Sequence, residues 1–503
     1  MKIIDFASGK IQKQFPVTLL SENFYAQWRS QTVTANFLRD ENFPTERLLQ
    51  AVWQHQRLKR GELKTADGQV VRVFHPGFAS LEGGPDFRDA VLQIGGDAPC
   101  SGDVEIDLRS GGWRAHGHDK NKNFQNVILH VVWDEARPVE NAPAVLSLKN
   151  MLDAPLVELS LSLEKESLRS LPENQRGKCS TVLRELDETQ LMELLRQAAR
   201  ARFENKAAAI RASAKNSGWE QALWENLFRA LGYKNNVWPM QNLAEAKAVR
   251  ARGANSAFEF QARLLGVGGL LPDELTRLQK SSDNYLRRAW DFWWRERDGF
   301  SDSILPRTAW KFHGLRPANH PQRRLALASH WLANKSFVEK IKNWSVAEIP
   351  DKRLLDSLLE IFQVERDEFW SWHWTFKSAR MKRPQPLLGT ARVTDLAVNV
   401  ILPWLWVRGA CARSPGSNEK FQREIERRFF VWPAAEDNSV LKLARQRLLG
   451  ISSARILKTA SSQQGLMQIV RDFCEHSNAV CENCRFPELA IGLRNLAANP
   501  GAY

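Results

Sequence analysis

Cysteine is scarce, with six residues in 503, and that excludes the dense disulfide framework of a small secreted scaffold. Tyrosine is scarcer, four against nineteen tryptophans. No run of about 18 apolar residues occurs, and the opening MKIIDFASGK has only a short apolar start. Neither a membrane span nor a secretory signal peptide is therefore expected, and the chain reads as cytoplasmic. Familiar catalytic signatures are missing too. There is no G-x-S-x-G and no H-E-x-x-H. The glycine-rich LLGVGGLLP (264–272) lacks the Lys-Ser/Thr of a phosphate loop and follows no strand, so it reads as close helix packing. No fixed-period repeat or low-complexity segment is found. Acidic excess is absent: 71 Lys and Arg against 57 Asp and Glu give a net charge of +14, which favours a polyanionic partner such as nucleic acid.

What is present is an ordinary globular composition, 43% hydrophobic and 25% charged, spread over too many residues for one core. Residues 1–44 read as an N-terminal extension. Thr45 is a plausible N-cap for an amphipathic helix, ERLLQAVWQHQRL. The segments LKTADGQVVRVFHPG, DAVLQIGG, GDVEIDL, VILHVVW and a weaker VLSLK alternate with turn signals and read as strands. WRAHGHDKNKNFQN, between two of them, is long enough for a partly helical crossover. The expected organisation is an α+β domain over 45–165, a linker over 166–185, and a mainly α-helical domain over 186–503 that ends in a cysteine-rich cluster. Tryptophan groups such as WDFWW and FWSWHW could stack bases, but in helices they read as packing.

The densest chemistry lies in GGPDFRDAVLQIGGDAPCSGDVEIDL. Alternation along GDVEIDLR turns Asp103, Glu105 and Asp107 to one face and Val104, Ile106 and Leu108 to the other. If the preceding strand pairs with this one, Asp86 approaches Glu105, and two carboxylates can hold Mg²⁺ or Mn²⁺ with positions left for water and a phosphate oxygen. The same alternation also fits a strand with one solvated face. HGHDKNK adds His116, His118, Lys120 and Lys122 as acid–base or phosphate-contacting candidates. His130 sits inside the next strand, and His75 and Glu82 precede Asp86.

Two further groups stand out. Cys474, Cys481 and Cys484 form a C-x₆-C-x₂-C array, in which the C-x₂-C pair can grip one metal from a single turn. Cys179 is the preferred fourth ligand and His476 the nearer alternative, for a Zn²⁺ site or a [4Fe–4S] cluster. Cys100 and Cys411 have no partner pattern. RPANHPQRR carries Arg316, Arg323 and Arg324, an electropositive turn that could receive a phosphate or simply start a helix.

At two levels these residues resemble known groups. HPGFASLEGGPDF, SGDVEIDLRSGGWRAHGHDK, NVILHVVW, LGYKNNVWPM, RPANHPQRR and the terminal cysteines resemble the bacterial family catalogued as domain of unknown function 2851 over nearly the whole chain. More distantly, residues 45–135 look like the PD-(D/E)XK nuclease superfamily, with its α-β-β-β-α-β restriction-endonuclease-like core. That resemblance implies metal-binding roles for Asp86 and Glu105, with Glu46 as a helix acid. It also implies a lysine where this chain has Asp107, and a carboxylate cannot supply that positive charge. An extra metal ligand could replace the lysine, or His118, Lys120 or Lys122 could swing in. The resemblance implies a metal-dependent nuclease or nuclease-like DNA-processing protein that hydrolyses phosphodiester bonds, with DNA as its partner. The alternatives are a degenerate nucleic-acid-binding protein on the same fold, or a helical scaffold.

Overall fold

The computed structural model describes residues 23–40, 43–80, 84–134, 143–163, 177, 179–246, 249, 255–275, 284–411, 415–449, 456–474, 481 and 484–498. The chain forms a mixed α+β structure, with a β-sheet in its N-terminal part and helices beyond. It divides into two compact units: Leu49–Pro155 with Lys206–Trp432, and Met1–Leu48 with Leu156–Asn205 and Pro433–Tyr503. None of the described helices is long and apolar enough to cross a membrane.

In the first of these units five strands run along one path in chain order: β1 (Val71–His75), β3 (Phe87–Ile94), β4 (Cys100–Asp107), β5 (Val127–Val132) and β6 (Ala144–Ser147). The short β2 (Phe78–Ala79) pairs with β3 beside β1. β3 runs antiparallel to both β1 and β4, whereas β4, β5 and β6 are parallel. Parallel neighbours need a crossover. Here it is one helical turn, Gly112–Ala115, and two 3₁₀ turns, His118–Lys120 and Lys122–Phe124. No longer helix forms, because Gly117 takes φ = 71°, a left-handed conformation that glycine adopts freely. Leu92, Val104, Leu129, Val131 and Leu146 are buried in the sheet. His75 is buried as well, its Nδ1 accepting the Gly77 N–H at 3.0 Å. Burial, with Lys311 nearby, lowers its pKa to about 4. His75 is thus a neutral turn residue.

The expected N-terminal helix runs from Glu46 to Gln54, and Thr45 Oγ1 accepts the Leu48 N–H as a cap. Among the tryptophan groups, Trp370 is fully buried and donates its indole N–H to Tyr285 Oη at 2.9 Å. Trp290 and Trp294 stack at 4.5 Å, with Trp294 partly exposed.

The second unit packs Tyr25, Leu194, Leu195, Ala198, Leu466, Ile469 and Phe473 into one core. At its centre the Asp472 carboxylate accepts hydrogen bonds from Tyr25 Oη, Arg29 Nε and Gln468 Nε2, each at 2.8 Å. Burial alone would raise its pKa, but Arg29 and Arg471 hold it below the ordinary carboxylate value, helped by the hydrogen bonds from Gln468 and Tyr25. Asp472→Ala leaves the Arg29 guanidinium buried without this carboxylate. The expected loss is about 3–5 kcal/mol, read as a lowered thermal midpoint. Because the folded-state pKa is depressed, the wild-type contribution is present above pH ~4 and fades as pH falls below it. The variant lacks that acid-side loss.

Candidate active site

Strand β4 ends on two buried carboxylates. Glu105 is 7% and Asp107 2% exposed, beside Val104 and Ile106 at 0% and 1%. The sheet is therefore covered on both faces here, and the solvated charged face that alternation allows does not occur. A buried carboxylate persists only where hydrogen bonds or opposite charge replace its water. Each of these has such partners. Glu105 Oε2 accepts the backbone N–H of Asp86 at 3.0 Å, and Asp86 Oδ2 accepts that of Ile106 at 3.1 Å. The two acids brought near each other by β3–β4 pairing are thus interlocked through their main chains. A bulge with Asp89 at φ = 55° lies just beyond, where the β3–β4 register shifts.

Asp107 stands between two imidazoles. Its Oδ1 lies 3.0 Å from His116 Nδ1 and its Oδ2 2.8 Å from His130 Nε2. His130 comes from the parallel neighbour β5, where it faces Glu105 in register, and its side chain is fully buried. His116 comes from the crossover and remains about half exposed. His118, from the same crossover, sets Nε2 3.3 Å from Glu105 Oε1. That approach lacks hydrogen-bond geometry, since His118 Nε2 has no hydrogen-bond partner. Buried Trp113 lies 5.5 Å from both the His118 and His130 rings, and Phe124 stacks on His118 at 4.0 Å. Burial lowers the His118 pKa, so the ring is neutral at pH 7 and keeps a lone pair for a ligand. Asp107, His116 and His118 offer ligand atoms within 4.8 Å of one another. A carboxylate and two imidazoles suit a borderline divalent ion better than Mg²⁺, which prefers oxygen.

The structure thus shifts the centre of the expected site. Asp86 and Glu105, proposed to share an ion, meet through amide-to-carboxylate bonds, and the convergent ligand atoms are those of Asp107, His116 and His118. Lys120 and Lys122 are exposed on the crossover. Glu82 and His476 fall outside the described residues. Arg323 and Arg324 do not present a phosphate site. Arg323 is 1% exposed and bonds the carbonyls of Trp370, His373, Gln385 and Pro386. Arg324 bonds the Leu387 carbonyl and Asn319 Oδ1. Both guanidiniums hold an internal loop in place through its carbonyls. Arg316 is exposed.

Three supporting residues escaped the sequence reading. Gln50 Nε2 donates to Asp86 Oδ1 at 2.9 Å. Its signal is position: it lies one helical turn after Glu46, so both share a helix face. Trp113 was one aromatic among many. Gly112 matters for space, since a Cβ there would lie 2.6 Å from the Asp107 carboxyl carbon.

Gly112→Ala is expected to push the Asp107 carboxylate off His116 and His130 and to lose about 1–3 kcal/mol. Gly111→Ala, whose Cβ would meet nothing within 4 Å, should stay within about 0.5 kcal/mol of wild type. Chemical denaturation of the pair checks this; equal stabilities would show that the Asp107 cluster tolerates displacement.

No curated protein and no solved structure matches the chain. A family model described as protein of unknown function (DUF2851) matches residues 46–427. That span holds the whole sheet and the Asp107 cluster, and the chain belongs to the DUF2851 family.

Proposed function

We propose that this protein is a divalent-metal-dependent phosphodiesterase acting on nucleic acid, DNA in the first instance. The observation that carries the proposal is the gathering of Glu105, Asp107, His116 and His118 at the C-terminal end of β4, with the Asp86 amide on Glu105. Its support from the fold is the order helix, β1, β3, β4, crossover, β5, with β4 and β5 parallel. That is the order expected of a restriction-endonuclease-like core. The net charge of +14 suits a polyanionic substrate.

A bound Mn²⁺ or Mg²⁺ would polarise a phosphoryl oxygen and acidify a water. Asp107, His116 and His118 would hold the ion, with Glu105 beside it. His130, hydrogen-bonded to Asp107, fixes the direction of that carboxylate, as outer partners of metal ligands do. Gln50 and the Ile106 N–H do the same for Asp86. The exposed ammonium groups of Lys120 and Lys122 could receive substrate phosphates. The position where a nuclease of the resembled superfamily has lysine is here Asp107, and imidazoles surround it. This favours Mn²⁺ over Mg²⁺ in the proposed site.

The same substitution favours a second reading, in which the chain binds nucleic acid without cutting it. Incubation with plasmid and single-stranded oligonucleotides in Mn²⁺, Mg²⁺ or EDTA separates the two. Cleavage should be faster in Mn²⁺, absent in EDTA, and reduced by at least about 100-fold in Asp107→Ala and His118→Ala. Salt-sensitive binding without cleavage supports the second reading, and absence of both at low salt overturns the proposal.

A further inference from the structure

Four of the six cysteines belong to the unit built from Met1–Leu48, Leu156–Asn205 and Pro433–Tyr503. Cys179 begins the helix Cys179–Glu185, Cys474 ends the π-helical turn Val470–Cys474, and Cys484 precedes the helix Phe486–Ala498. Cys481 lies between the last two. All four are free of disulfides. Cys179 and Cys474 share one core, and Cys484 packs against it.

The backbone is shaped around these sulfurs. At Gly177 a Cβ would lie 3.1 Å from Cys179 Sγ and 3.9 Å from Cys481 Sγ. The main chain thus passes within contact distance of two sulfurs from segments some 300 residues apart. Cys481 holds φ = 57°, a left-handed conformation that a non-glycine residue keeps only where its surroundings impose it. Arg447, 1% exposed, places Nη2 3.5 Å from Cys481 Sγ, and the Gly177 N–H donates to the Arg447 carbonyl at 3.1 Å. Thiolates and a buried guanidinium are electrostatically complementary.

We infer that Cys179, Cys474, Cys481 and Cys484 bind one thiophilic metal centre as four thiolates, with Arg447 as its buried counter-charge. Zinc and a [4Fe–4S] cluster share this chemistry: with four thiolates, each leaves a net double negative charge that an arginine offsets. Binding releases the thiol protons. The centre ties the helix Cys179–Glu185 to the C-terminal segment, where that helix already packs against Phe486–Ala498 and the turn Arg445–Leu449. The three C-terminal cysteines lie beyond residue 427, where the family match ends. The inference does not rest on the Asp107 cluster or on phosphodiester cleavage.

The test is metal analysis of the full chain purified without oxygen. Stoichiometric zinc in a colourless protein, or iron and acid-labile sulfide in equal amounts with visible absorption, each supports the centre and identifies it. Cys179→Ser and Cys484→Ser should lose the metal, whereas Cys411→Ser keeps it. Alkylation of native wild-type protein, read by mass spectrometry, needs no variant. Exposed Cys100 and Cys411 should label at once, and the other four only after chelation or denaturation. The inference is overturned if the protein carries neither metal, takes up neither Zn²⁺ nor iron with sulfide, and the four thiols are alkylated as freely without chelator as with it.

Discussion

A carboxylate held away from water at the end of a parallel strand pair is the constraint around which this site is arranged. Asp107 is almost wholly buried, and an uncompensated charge there would be costly by several kcal/mol. The compensation comes from two directions: His130, carried by the neighbouring parallel strand, and His116, carried by the crossover that joins the strands. β4–β5 pairing sets the first distance and the crossover's brevity sets the second. Gly112 leaves the carboxylate its volume. Trp113 and Phe124 then fix the imidazoles against an apolar wall. Glu105 and Asp86 extend the same logic, each bonded to the amide of, or next to, the other.

Much of this was visible in the residues. The strands announced themselves as segments set between turn signals, and all five formed where those segments lay. GDVEIDL and HGHDK were recognisable as chemistry because carboxylates and histidines rarely crowd together without reason. Alternation, however, describes only one sheet face, and it could not say that Glu105 and Asp107 would be covered by the crossover. Gln50 was hidden because an uncharged amide on an amphipathic helix looks like surface. Arg323 and Arg324 misled for the converse reason. A basic cluster at a helix start reads as an anion site, yet a guanidinium is equally suited to collecting several backbone carbonyls from one loop.

The composition of the second unit had no local signature at all. Helical periodicity marks each of its helices, but pairing between residues near 25, 195 and 470 leaves no spacing to detect. Only cysteine is rare enough for its distribution to hint that distant segments meet. The left-handed Cys481 and the close pass of Gly177 belong to the same class of information: backbone choices that become intelligible once partners from far along the chain are in place.

The Asp472 network has a consequence for biosynthesis. Tyr25, Arg29 and Gln197 are made early, and the carboxylate that organises the first two arrives only after 267 further residues beyond Asn205 (472 − 205). At about 5–20 residues per second that is a wait of roughly 13–53 s, during which Lys206–Trp432 is synthesised and the sheet-bearing unit, whose Leu49–Pro155 part is already made, can fold. The sheet-bearing unit is thus complete in sequence before the other, whose last segment begins at Pro433. Until then Leu194, Leu195 and Ala198 lack the Leu466, Ile469 and Phe473 side chains that share their core.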